Sequence, residues 1–200
     1  MKTILILLFV TLSMSCTQSK QPIKEGTAWQ KKMNADFKDA SKSPLKSKDR
    51  KTFSGLDFFD FDSTFVVTAA LKRTPDTEWF EMKTTTDRLS LERVFGVLTF
   101  NINGKSFQLN VYQGKELMRE EGFENYLFLP FLDNTNGNST YGGGRYIDLN
   151  IPDGDTMIID FNTAYNPYCV YNDKFSCPIV PRENYIDTKI EAGVKMFVKE

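Results

Sequence analysis

Histidine is absent from this 200-residue sequence, and that gap removes several chemistries at once. Without imidazole there is no histidine-ligated zinc site, no Ser-His-Asp triad and no ordinary proton shuttle at neutral pH. A surplus of either charge is also missing, since 25 Lys and Arg stand against 26 Asp and Glu. Such a balance leaves no electrostatic footprint for DNA or RNA, so no nucleic-acid partner is expected. The sequence holds no Walker loop, no dinucleotide fingerprint and no internal repeat, and neither a cofactor nor a metal site is expected. Cysteine is scarce, with three residues at 16, 169 and 177 and no Cys-x-x-Cys spacing. The apolar run from Ile4 to Val10 is too short to cross a bilayer.

That short run has another reading. Lys2 supplies a positive start, Ser13 and Ser15 supply small residues, and Cys16 follows them. Residues 1–15 therefore read as a signal peptide, with Cys16 as the first mature residue and the acceptor of a lipid. The stretch resembles a bacterial lipobox, although Ser13 stands where leucine is usual. Ordinary signal peptidase accepts the same small residues, so the argument for lipid rests on Cys16 and the polar Thr17-Gln18-Ser19-Lys20 behind it. Residues 16–26 then form a flexible tether and 27–200 a single domain. The expected place is the bacterial cell envelope, on the periplasmic side or the outer surface, with a membrane partner through the lipid.

Aromatics are plentiful, at 14 % with 17 Phe, as a β-rich core requires. The spacing of Trp29, Met33, Phe37 and Ala40 predicts one amphipathic helix over Thr27 to Ala40, stopped at Ser43-Pro44. The Lys-rich piece from Lys42 to Lys51 reads as a solvated connector, and Phe53 to Phe61 as a segment packed under a sheet. Beyond it the period changes to two, predicting strands over Phe65 to Leu71 and Glu78 to Met82. Asn103-Gly104 is a preferred type I′ pair and predicts a two-residue hairpin joining Val97–Ile102 to Lys105–Tyr112, with Phe100 facing Phe107 and Leu98 facing Leu109. Glu116 to Glu121 reads as a short helix, and Tyr126–Leu132, Arg145–Asn150 and Met157–Phe161 as further strands. The fold class is thus mainly β (α+β), an N-terminal amphipathic helix followed by an antiparallel sandwich or partly open barrel.

Polar residues, glycines and tyrosines crowd between Leu129 and Gly193. Tyr141-Gly142-Gly143-Gly144-Arg145 is either a turn whose backbone approaches a ligand, with Arg145 forked onto a carboxylate or phosphate, or a plain loop entering a strand, with Arg145 paired to Asp148 or Asp160. Asp160, Asn162, Tyr165, Asn166 and Tyr168 gather hydrogen-bonding groups at a strand's end, where they either bind a small polar ligand or hold turn backbone. Glu183-Asn184 after Pro181 starts a local element unless the fold brings its acid to Arg145 or Asp160. Cys169 and Cys177 lie opposite one another if the segment between them is a hairpin centred on Asp173, which makes a disulfide or a buried free pair the expectation over a reactive thiol.

Several of these segments together resemble the domain-of-unknown-function 1684 family. They are Leu129-Pro130-Phe131 with Asp133 and Thr135, Thr140 through Tyr146, Asp160-Phe161-Asn162 with Ala164 through Cys169, and Cys177-Pro178 with Glu183-Asn184. Ser43-Pro44-Leu45, Phe53 with Gly55-Leu56, and Ile190 with Ala192-Gly193 extend the likeness over nearly the whole mature chain. The sequence departs from the family pattern at Val180, where proline is usual, and at Val194, where an acid is usual. The resemblance implies no established activity, and implies lipoproteins among the members.

Three functions stay open. The first is a lipid-anchored, non-enzymatic domain binding a small polar or anionic ligand near the glycine-rich loop, with Asp133, Thr135, Tyr141, Arg145, Tyr146, Asp160, Asn162, Tyr165, Asn166, Tyr168, Glu183 and Asn184 as candidate contacts. The second is a histidine-independent hydrolase-like enzyme with Asp160 or Glu183 as general acid or base. The third is a structural lipoprotein that binds an unidentified protein partner through an exposed Phe-rich patch over Phe53 to Phe65.

Overall fold

The computed structural model describes residues 26–198. The expected signal peptide, Cys16 and the expected tether as far as residue 25 lie outside the described residues.

Helix α1 spans Ala28–Lys38 and begins with a capping box. Thr27 Oγ1 accepts the Gln30 N–H at 3.2 Å, and Gln30 Oε1 accepts the Thr27 N–H at 3.0 Å, so two otherwise orphaned donors are satisfied. Its apolar stripe of Trp29, Met33 and Phe37 packs on Leu45, Leu56, Tyr171 and Val194. Ala40 falls beyond the helix and is exposed. The Lys-rich connector winds into a six-residue helix, α2 (Ser47–Thr52), which buries no side chain. Phe53 and Phe58 join the cluster under α1 instead of lying beneath the sheet, and Phe61 is 54 % exposed. The sheet's inner face has no room for them, being filled by its own strands together with Ile186, Ile190 and Ala192.

Among the described residues eight strands follow: β1 (Val66–Arg73), β2 (Phe80–Lys83), β3 (Leu89–Ile102), β4 (Lys105–Gly114), β5 (Tyr126–Asp133), β6 (Arg145–Asn150), β7 (Thr156–Asp160) and β8 (Tyr185–Ile186). They form one sheet in the order β6-β5-β4-β3-β1-β7, with β2 added on β3 and β8 added parallel to β5. The sheet is mainly antiparallel and curls into a half-barrel, the partly open form rather than the two-sheet sandwich. The β3–β4 turn places Asn103 at φ 50° and Gly104 at φ 77°, the left-handed pair that a type I′ turn demands. Phe100 pairs with Phe107 and Leu98 with Leu109, the register that the turn residues predict.

One irregularity in β3 positions everything that follows. Val94 pairs with Tyr112 and Gly96 with Val111, so Phe95 is an extra residue, a β-bulge. Beyond it, Leu98, Phe100 and Ile102 point into the main core with Leu109, Val111, Leu129 and Ile147. Before it, Val94 faces a second cluster containing Tyr112, Phe128, Tyr146, Cys177 and Val180. All these β3 residues are even-numbered, so without the bulge they would share one face. The bulge therefore hands the start of β3, including Glu92, to the second face.

Candidate functional site

On that second face lies a cavity of about 330 Å³. Ser90, Leu91 and Glu92 of β3 form one side and Gly114 closes β4 against them; Tyr126 and Phe128 of β5, Tyr146 of β6 and Tyr165 form the aromatic side. The turn around Leu117 brings Glu116 and Glu120 to the rim, with Arg88 near them. Strand pairing accounts for the aromatic wall, because Phe128 pairs with Asp148 and Pro130 with Tyr146, which sets Phe128, Tyr126, Tyr146 and Asp148 on one face. Tyr165 joins through a two-way backbone bridge to Tyr146, at 2.9 and 3.0 Å.

Glu92 is the unusual group. Its residue is only 6 % exposed, its Oε1 accepts from the Ser90 hydroxyl at 2.8 Å, and its Oε2 has no hydrogen-bond partner among the described residues. Burial pushes its carboxyl above the ordinary 4.5, with the Ser90 hydroxyl and the Arg88 charge pulling the other way. Gly114 leaves the space for it, since a Cβ there would sit 3.2 and 3.3 Å from the two carboxyl oxygens. The tyrosines are engaged by their protons. Tyr126 and Tyr165 both donate to Asp148 Oδ1, at 2.8 and 2.6 Å, and Tyr146 donates to the Pro178 carbonyl. Burial raises the pKa of all three phenols, so they stay protonated.

Of the twelve candidate contacts read from the sequence, Tyr146 and Tyr165 line this cavity. Arg145 is elsewhere and wholly buried. Its partner is Asp133, at 2.8 Å, not Asp148 or Asp160; it also donates to the Ile190 carbonyl at 2.8 Å and to the Ala192 carbonyl. Its guanidinium lies 5.2 Å from the Phe131 ring centroid, and burial pulls its pKa down against the opposing pull of Asp133. Asp133 in turn accepts the Thr135 N–H at 2.7 Å, and Thr135 shares a hydrogen bond with Thr140. The preceding glycine explains itself locally: Gly144 has φ 90°, and a Cβ there would meet the Phe131 carbonyl oxygen at 2.6 Å.

Asp160 holds turn backbone and the side chain of Asn162, which also bonds the Asp62 carbonyl. Asn166 donates to the Lys195 carbonyl and the Tyr171 hydroxyl. Asn184 exchanges two hydrogen bonds with the Asn110 backbone and gives a third to the Pro130 carbonyl, clamping β4 to β5. Tyr141 is half-buried, and Tyr168 and Glu183 are exposed. Arg145, Asp160, Tyr165 and Glu183 do not converge on one pocket. Glu92, Ser90 and Tyr126 escape a reading of the sequence, because only the bulge at Phe95 turns Glu92 toward the aromatic face.

Cys169 and Cys177 are free thiols, Cys177 buried and Cys169 half-buried, so the disulfide among the two expectations is corrected and the free pair is what the fold shows. The segment between them is not a strand hairpin. Cys169 sits in a 3₁₀ turn (Tyr168–Val170), while Cys177 exchanges hydrogen bonds with Thr85 beside β2. The Cys177 sulfur accepts the Cys169 N–H at 3.2 Å. The Cys177 thiol, donating to its neighbour, lowers the pKa of Cys169 from 9.0 to about 6.

Among the described residues no group of three or more acidic or cysteine side chains is disposed to hold a metal, and no helix is long and apolar enough to cross a membrane. In comparisons with known proteins, the family described as "Protein of unknown function (DUF1684)" matches residues 51–195, a span that takes in every strand. The solution NMR structure of an uncharacterised protein from Haloarcula marismortui is 33 % identical, with a TM-score of 0.65, and the match covers 83 % of this chain and 89 % of that one. No functionally curated protein matches the sequence.

Proposed function

The chain belongs to the DUF1684 family, a family without a described activity, and from that premise we propose that it is a binding domain of the cell envelope whose small polar ligand occupies the cavity beside Glu92. One observation carries this reading: a carboxyl oxygen buried with no partner among the described residues, in a residue that is 6 % exposed and lines a cavity of about 330 Å³. Burying a polar atom unpaired costs about 1–3 kcal/mol, a debt that a ligand's donor removes. Cavities of a few hundred cubic ångströms with aromatic walls and a few polar atoms are the common form of small-molecule sites. Arg145 Nε is also buried without a partner among the described residues, but Arg145 does not line this cavity and its side chain is fully enclosed, which gives no support to anion binding there.

The test is a thermal-shift screen of small polar metabolites against the wild type and Leu117→Trp, which fills the cavity mouth. Hits that shift the wild type and lose the shift in Leu117→Trp are expected. A screen without hits, or hits indifferent to that substitution, refutes the reading. In the same proposal Cys16 carries the lipid that holds the domain at a membrane. Cys16→Ala should move the protein to the soluble fraction, and its retention with membranes would refute the anchor.

The raised carboxyl of Glu92 also favours a second reading, an enzyme in which it serves as general acid. Glu92→Gln would then bind substrate and fail to turn it over.

A further inference from the structure

The hydrogen-bonding character of the cavity is one-sided around Glu92 and the tyrosines. Tyr126 and Tyr165 spend their protons on Asp148, and Tyr146 spends its proton on the Pro178 carbonyl. Ser90 spends its own on Glu92 Oε1. Glu92 Oε2 is left as an acceptor, and the phenol oxygens retain lone pairs. Arg88, the one cation of the lining, is tied back to Ser176 through Nε to Oγ at 3.1 Å and Nη2 to the carbonyl at 2.8 Å. Those two bonds use two of its five N–H groups, so donors remain at Arg88, whereas beside Glu92 and the tyrosines a ligand must bring the donors.

Charge narrows the class further. Glu92, Glu116 and Glu120 line the cavity against Arg88 alone, a surplus of negative charge. The rings of Tyr126, Phe128, Tyr146 and Tyr165 add π systems, which attract cations near their faces. A neutral polyol would satisfy the acceptors and gain nothing from the charge surplus. An anion would meet three carboxyl groups.

We infer that the ligand is a small organic cation bearing a primary or secondary ammonium, whose N–H groups bond Glu92 Oε2 and whose carbon frame lies among the tyrosines. This inference rests on the cavity being a ligand site, as proposed above. A quaternary ammonium satisfies the charge but not the orphaned acceptor, so it ranks below an ammonium with protons.

The experiment is calorimetric titration of the full chain with matched pairs: 2-phenylethylamine against 2-phenylethanol, and ethanolamine against ethylene glycol. At least one amine should bind, its neutral isostere should bind roughly tenfold to a hundredfold more weakly, as loss of a charged hydrogen bond predicts, and Glu92→Gln should erase the difference. Alcohols that bind as well as the amines overturn the cation assignment and leave the cavity as a ligand site. Preference for the amine that survives in Glu92→Gln overturns the assignment to this carboxyl. If no amine binds, the assignment falls, and the metabolite screen with Leu117→Trp decides separately whether the cavity binds anything.

Discussion

Replacing Arg145 by methionine tests the buried centre of the loop that sequence reading singles out. Arg145 and Asp133 both have fully buried side chains, 2.8 Å apart, and the guanidinium also satisfies the Ile190 and Ala192 carbonyls. Methionine fills much of the volume but leaves Asp133 charged and two carbonyls short of a donor. Breaking one side of a buried pair costs about 3–5 kcal/mol. For a domain of this size that corresponds to a fall in melting temperature of roughly 6–20 °C. Urea titration followed by fluorescence and far-ultraviolet circular dichroism gives the free energy directly. Adding Asp133→Asn to Arg145→Met should recover about 1–3 kcal/mol, because the second change removes the stranded charge while keeping an acceptor for the Thr135 N–H. If Arg145→Met unfolds within about 1 kcal/mol of the wild type, or if the second substitution adds a full cost of its own, Arg145 is not the structural tie described here.

Glu92 titrates higher in the folded chain than in the unfolded one, so the stability it contributes is full below 4.5 and is lost as pH rises through its raised folded value. Glu92→Gln should therefore be more stable than wild type at pH 7, with the gap closing toward pH 4; chemical denaturation across that range measures it, and a gap that widens on acidification contradicts the assignment. Gly96→Ala should cost about 1–3 kcal/mol, since a Cβ would sit 2.6 Å from Leu71 Cδ1 and 2.8 Å from the Lys72 carbonyl oxygen. Iodoacetamide should modify the folded, unreduced protein at Cys169 with a rate that rises through pH about 6, and Cys177→Ala should move that midpoint upward by removing the donated proton. Absence of labelling at neutral pH would contradict two free thiols.

The features legible in the sequence are those governed by neighbours. Asn103-Gly104 sets a turn whose geometry dictates the pairing of every residue up to the bulge, and Phe100 opposite Phe107 follows from that alone. Strands β1, β5, β6 and β7 show themselves through alternating burial or dense apolar runs. Phe95 does not announce itself, because an extra residue leaves composition and spacing unchanged while reversing the faces on its far side. The bulge keeps the cavity out of view in the sequence, although Tyr146 and Tyr165 are among the candidate contacts. Distant partners were equally silent. Parallel addition of β8 to β5 depends on contacts about fifty residues apart, and Asn184 earns its place through backbone atoms of Asn110 and Pro130. Arg145 reads equally as a ligand hook or as half of an internal ion pair, because a guanidinium after three glycines suits an anion and an internal acid alike, and only the fold decides between them.

The acceptors that complete Arg145 lie 45 and 47 residues later in the chain. During synthesis β5 and β6 emerge first, carrying Asp133 and Arg145, but the carbonyls of Ile190 and Ala192 do not yet exist. Until the segment around Gly193 arrives and threads between Phe59 and Ala164, the guanidinium has Asp133 as a partner but neither carbonyl. Completion of the Arg145 site is therefore a long-range event, and a nascent chain cut short before residue 190 lacks both carbonyl acceptors.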